Sequence, residues 1–126
     1  MVQEHVILEK KVVFFNEIKI NQSDKKEKKT TPFSNICSEL FNTINERSIN
    51  PSDKSYTNHL LKKGSNTILK KIGEESAEFI MACKDNDKTS ISNEAADLIY
   101  HLQVALMHKG VEWRDVLAVL ESRRKN

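Results

Sequence analysis

Glu74, Glu75, Glu78, Glu94, Asp97 and His101 are the residues whose types and spacing could do chemistry. On a wheel of about 100° per residue, Glu75 and Glu78 fall on one flank of a helical apolar face, with Glu74 one step further round. Glu94, Asp97 and His101 fall on a single flank of the next helical stripe. Both sets use three- and four-residue spacings, which bring side chains together on one helix face. If the two stripes pack on each other, the acidic flanks meet at the edge of the core. Carboxylates gathered there repel one another and call for a counter-charge. A hard divalent cation supplies it: Mg2+ takes oxygen ligands and keeps waters and substrate phosphates in its shell. Such a centre suits metal-assisted hydrolysis of a phosphoanhydride. The same acids also read as solvated helix flanks, with Lys70 and Lys71 one turn before Glu74 and Glu75 as simple surface partners. Gly73 interrupts a helix interior at a cost of about 1 kcal/mol relative to alanine. It reads either as a place of close approach for a helix or a ligand phosphate, or as a tolerated packing glycine.

The elements that must carry these residues are helices. Three glycines and two prolines in 126 residues are too few for the turns of an all-β fold. A first helix is expected from Thr31-Pro32, a capping residue followed by a proline suited to the first helical position. Phe33, Ile36, Cys37, Leu40, Phe41 and Ile44 form its apolar stripe, and it ends near 47–50, before Pro51. A loop over 51–55 leads to a second helix from Tyr56, interrupted at Lys63-Gly64-Ser65, where Gly64 stops one helix and Ser65 caps another. Beyond it Ile68, Leu69, Ile72, Phe79, Ile80 and Cys83 share a face, and the helix ends around 84–86. Asp87 caps the next, whose stripe is Ile91, Ala95, Leu98, Ile99, Leu102, Ala105 and Leu106. Gly110 closes it, and a short last helix carries Trp113, Val116, Leu117 and Leu120.

The N-terminal part differs. Residues 5–20 are rich in Val, Ile and Phe and read as a strand or hairpin remnant. Residues 21–31 are polar and charged and read as a linker. The expected organisation is thus a non-helical extension over residues 1–30 and an all-α domain over 31–126, a bundle of four to five helices. So few helices give a thin core, and Phe79, Ile80, Met81 and Trp113 spread beyond one narrow stripe, so a homodimer is expected.

Charge and composition narrow the function. Twenty basic residues against 18 acidic ones leave a formal charge of +2, which argues against a nucleic-acid binder. No apolar run reaches the ~20 residues of a membrane span. The first nine residues include Glu4 and Glu9 and no cleavable apolar core, so no signal peptide is expected and a cytoplasmic location is the default. Cys37 and Cys83 match no metal or redox spacing and read as small core residues in a reducing compartment.

Ser55-Tyr56-Thr57, Leu60-Leu61, Lys63-Gly64, the run KIGEESAE (71–78) and the run NEAADLIYHL (93–102), in that order, resemble the phosphoribosyl-ATP pyrophosphohydrolase family of histidine biosynthesis. That family belongs to the all-α NTP pyrophosphohydrolases, with a broad E-E-x-x-E … E-x-x-D signature. The likeness runs from about Arg47 to Arg123. It implies a helical, dimeric, Mg2+-binding subunit that splits phosphoribosyl-ATP into phosphoribosyl-AMP and pyrophosphate. Carried over by motif, Glu75, Glu78, Glu94 and Asp97 look like the metal ligands, with Glu74 as an outer-shell or second-metal group. Either Glu74 or Glu78 would accept the proton of the attacking water. Lys71 is similar to the family's lysine before the GEE motif and would meet substrate phosphate; as bare sequence it equally reads as an exposed lysine. Ser55, Tyr56 and Thr57 look like a substrate-contacting turn, or equally an N-cap with a packed tyrosine. His101 is expected to pack or hydrogen-bond beside the site, on its substrate side.

Two departures stand out. Ser76 replaces the alanine usual in GEEA. The first 30 residues have no counterpart in the stand-alone enzyme, and VVFFNEI resembles the end of a cyclohydrolase domain that precedes this one in some relatives. That segment lacks a cysteine for the cyclohydrolase metal, so no second activity is assigned. The competing readings are a housekeeping nucleoside triphosphate pyrophosphohydrolase with the same metal chemistry and a non-catalytic helical dimerisation module.

Overall fold

The computed structural model describes residues 33–124. The strand expected over 5–20, the linker over 21–31 and the Thr31-Pro32 helix start lie outside the described residues. Within them the chain is all-α: a 3-10 turn, Phe33–Asn35, leads into α1 (Ile36–Ile49), α2 (Tyr56–Lys63), α3 (Ser65–Asp85), α4 (Lys88–His108) and α5 (Trp113–Arg124).

The helix boundaries follow from local chemistry. Ser55 sits in extended backbone as the N-cap of α2, its hydroxyl accepting from the Asn58 N–H. Gly64 serves two helices at once. Its N–H closes α2 onto the Leu60 carbonyl, and its own carbonyl accepts the Ile68 N–H at the start of α3. The φ of 90° that makes this sharp join is open to glycine and strained for other residues. The cap of α3 is therefore Gly64 itself, and Ser65, expected as the cap, is the first helical residue. Asn86, left-handed at φ 57°, and Asp87 make a two-residue turn between α3 and α4. Hydrogen bonds from the Ser90 hydroxyl and N–H hold the Asp87 carboxyl below its usual range, with the Thr89 N–H adding to them. The end of α4 is a Schellman pair, Val111 N–H to the Leu106 carbonyl and Gly110 N–H to that of Met107.

α3 and α4 form an antiparallel hairpin with the most extensive interface of the fold. α1 and α2 lie against it, and α5 runs beside α1 without burying a residue. The apolar core is small: Leu40, Ile44, Leu60, Ile68, Tyr100 and Val104, flanked by Tyr56, Leu61, Ala105 and Met107.

Three expected stripes are corrected. Phe33, placed at the head of the α1 stripe, is 97% exposed, because its turn is 3-10 and falls out of phase with the 3.6-residue face. On α3 only Ile68 of the expected stripe is buried, while Leu69 and Ile80 stay exposed. On α4 the buried residues are Glu94, Asp97, Tyr100, His101, Gln103 and Val104. The Ile91–Leu106 stripe is only partly covered, with Leu102 exposed. The hairpin thus seals a largely polar seam and turns much of its apolar surface outward.

Asn58, buried in α2, ties the loop down. Its Nδ2 donates to the Arg47 carbonyl (2.6 Å) and its Oδ1 accepts the Ser52 N–H (2.9 Å). Replacing it leaves two backbone groups to find new partners. Asn58→Ala should lower unfolding stability by about 2 kcal/mol, read as a lower urea midpoint at unchanged slope.

Candidate active site

A seven-residue count shows why acids are buried here. Ile68, Glu75 and Ala82, the buried residues of α3, are spaced seven apart and so lie on one line along the helix. On α4, Glu94, Asp97, His101 and Val104 follow at steps of three, four and three. These are the positions at which packed antiparallel helices normally carry apolar side chains. Acids fill them in the middle of the hairpin, with Ala82 nearer the turn and Ile68 and Val104 farther from it.

One carboxylate oxygen from each of Glu75, Glu78 and Glu94 lies within 4.8 Å of the others. Glu75 is fully buried, Glu94 buried and Glu78 half-buried. Asp97 is buried one turn along α4 from Glu94 and is not part of that trio. At 4.8 Å, two like charges in an effective dielectric of about 20 repel by about 3 kcal/mol. The donors are all hard carboxylate oxygens. In an octahedral shell with ligands at about 2.1 Å, oxygens stand about 3.0 Å apart when adjacent and about 4.2 Å when opposite. A small rotation of the three side chains meets that spacing, so the set fits Mg2+ or a similar oxygen-seeking cation.

The remaining candidates lie on the same two helices and on α2. Lys71 forms an ion pair with Glu74 at 3.4 Å, both partly exposed. Ser55 and Thr57 are buried where α2 meets the hairpin, and the Thr57 and Tyr100 hydroxyls are hydrogen-bonded. Tyr56 is half-buried, its hydroxyl 3.2 Å from His101 Nε2. His101 Nδ1 lies 2.7 Å from the Asp97 carbonyl. A carbonyl only accepts, so Nδ1 carries a proton, and in the neutral ring the Tyr56 hydroxyl donates to Nε2. Both ring nitrogens are thereby engaged, which sets His101 apart from the carboxylates as a ligand. The rings of Tyr56, Tyr100 and His101 pack together, the histidine edge-on to both tyrosines with centroids 5.8 and 5.0 Å away. Burial pushes the Tyr56 hydroxyl above the usual phenol range, and the charges of Glu74 and then Asp97 push it the same way. The structure therefore brings Glu75, Glu78 and Glu94 together and sets Asp97, Tyr56 and His101 beside them. Ser55 and Thr57 are built into the α2 seam.

Three supporting residues escaped the motif reading: Asn58, Tyr100 and Gln103, whose Nε2 donates to the Cys37 carbonyl at 3.0 Å. The seven-residue spacing of 68, 75 and 82 was a signal in the sequence for a buried Glu75. Nothing local marked Asn58.

A helical hairpin whose seam gathers a carboxylate trio, Glu75 and Glu94 buried and Glu78 half-buried, defines the class of fold and site. Residues 37–124 match the phosphoribosyl-ATP pyrophosphohydrolase family, and the chain belongs to it. It is similar to the histidine biosynthesis bifunctional protein HisIE of Prochlorococcus marinus subsp. pastoris, 76% identical over 114 residues, or 90% of this chain and 52% of that one. It is 62% identical to the HisIE of another Prochlorococcus marinus strain over 115 residues, 90% of this chain and 51% of the relative. To the phosphoribosyl-ATP pyrophosphatase of Streptococcus thermophilus it is 48% identical over 85 residues, covering 68% of this chain and 82% of the other. The chain thus spans about half the length of the bifunctional relatives it matches. The 114-residue alignment is longer than the stretch 37–124 and reaches into the N-terminal segment. Among the described residues no helix is long and apolar enough to cross a membrane.

Crowded buried carboxylates make a testable signature. Glu75→Gln removes one charge and keeps the shape, so the metal-free variant should melt at or above the parent temperature. Millimolar Mg2+ should raise the melting temperature of the parent by a few degrees (about 4 °C per kcal/mol of binding free energy) and that of the variant by less. A parent chain indifferent to Mg2+ would remove the metal reading.

Proposed function

We propose that the chain hydrolyses phosphoribosyl-ATP to phosphoribosyl-AMP and pyrophosphate, using Mg2+ and acting as a homodimer. The single observation that carries this is the convergence of Glu75 and Glu78 from α3 with Glu94 from α4 in a buried seam. Family membership supports the substrate.

Glu75, Glu78, Glu94 and Asp97 would hold the cation, each offering a hard oxygen donor. When bound, Mg2+ supplies counter-charge for phosphate oxygens and lowers the pKa of a coordinated water. The other residues divide the remaining work. Glu74 lies outside the converging trio and is partly exposed, so it is the carboxylate assigned to accept the proton from the attacking water. Lys71 beside it carries a compact positive charge. It serves the α- and β-phosphates, where negative charge grows as the bridging P–O bond breaks and pyrophosphate leaves. The buried flank of the seam excludes bulk water, which strengthens these interactions.

The dimer reading rests on outward apolar surface. Ile80, Met81, Leu102, Leu117 and Leu120 are exposed in one copy, and a second copy is the partner that would cover them. Light scattering at micromolar concentration should report twice the chain mass, and Ile80→Glu should shift it to the monomer.

The decisive assay is pyrophosphate release by the pure chain with Mg2+, from phosphoribosyl-ATP and from a panel of nucleoside triphosphates. Selective release from phosphoribosyl-ATP is the expected result, with Glu75→Gln and Asp97→Asn reduced at least 100-fold while their helical signal persists. Release from triphosphates alone would move the chain to a housekeeping nucleotide role. No release from any of them would leave a helical assembly module.

A further inference from the structure

Tyr56 and His101 join α2 to one particular turn of α4. The Tyr56 hydroxyl meets His101 Nε2 at 3.2 Å, and His101 Nδ1 donates to the carbonyl of Asp97 at 2.7 Å. That turn begins three residues after Glu94 and carries Asp97 itself. The histidine is fully buried and held edge-on by Tyr56 and Tyr100, so its ring has one orientation in which both bonds form. The Tyr56 hydroxyl also feels the charges of Glu74 and Asp97, which sets it at the border of the acidic pocket. Thr57, the next residue, is bonded to Tyr100, so α2 is pinned to α4 at two successive positions.

We propose that Tyr56 is a positioning residue for the acidic pocket: through His101 it fixes the α4 turn that presents Asp97, and with it Glu94, to a divalent cation. The proposal deepens the Mg2+ reading above and rests on it. Partners that orient the residues of a metal site without touching the metal commonly change its affinity by about 10–100-fold when removed. A tyrosine that only touched substrate would act differently, leaving the affinity for Mg2+ alone unchanged.

The test is Tyr56→Phe in the full chain, which keeps the ring packing and deletes one hydroxyl. Calorimetric titration with Mg2+ alone, at a temperature where parent and variant are both folded, should give a dissociation constant about 10-fold higher for the variant. The Michaelis constant for phosphoribosyl-ATP at saturating Mg2+ should stay within about twofold of the parent. In the double variant Tyr56→Phe, His101→Gln the loss of Mg2+ affinity should match that of His101→Gln alone, because one acts through the other. Equal Mg2+ affinity in parent and Tyr56→Phe overturns the proposal while leaving the proposed activity standing, whether only the melting temperature falls or only the Michaelis constant rises. A parent chain that binds no Mg2+ overturns both.

Discussion

The constraint on which the rest depends is that charged carboxylates occupy positions a helical hairpin would ordinarily give to leucine. Burying an ion is costly unless something balances it. Here Glu75, Glu94 and Asp97 are buried within one seam, with Glu78 beside them. The fold tolerates this because apolar side chains pack beside the acids. Ile68 and Val104 are buried further along the same two helices, and Tyr100, Leu60 and Ile44 extend the contact to α1 and α2. The apolar packing and the acidic cluster occupy different parts of the hairpin and share its helices.

The polar seam also shapes the outside of the molecule. With acids and a histidine facing inward, much of the apolar surface of α3, α4 and α5 is left outward, at Leu69, Ile80, Leu102 and Leu120 among others. Small domains have little surplus apolar area. A buried acidic cluster and a thin private core therefore belong together, and the proposed assembly with a second copy would recover what the seam gives up.

The helices were legible in the sequence because their punctuation is chemical: Ser55 and Asp87 as caps, Gly64 and Gly110 as stops, and a stripe over Leu40–Ile44 that is buried as expected. The carboxylates were legible as a group because E-E-x-x-E and E-x-x-D repeat at helical spacing. Their depth was not. An apolar stripe predicts the inward face, yet on α4 the cleanest stripe is only partly covered and the acids beside it are buried. Periodicity reveals that a helix has two faces, and it does not say which face the hairpin partner takes. The latch at Asn58 was invisible for another reason. Its partners, the Arg47 carbonyl and the Ser52 N–H, are backbone groups, and a residue string carries no mark of which backbone groups await a side chain.

The turn at Asn86-Asp87 joins α3 directly to α4. Every converging oxygen of the trio therefore comes from a stretch of chain only a few tens of residues long, folded back once upon itself. Such an arrangement has low contact order, so its pairing closes quickly and without help from remote sequence. An arrangement built this locally is self-contained: the hairpin carries its own acids on two helices joined by one short turn.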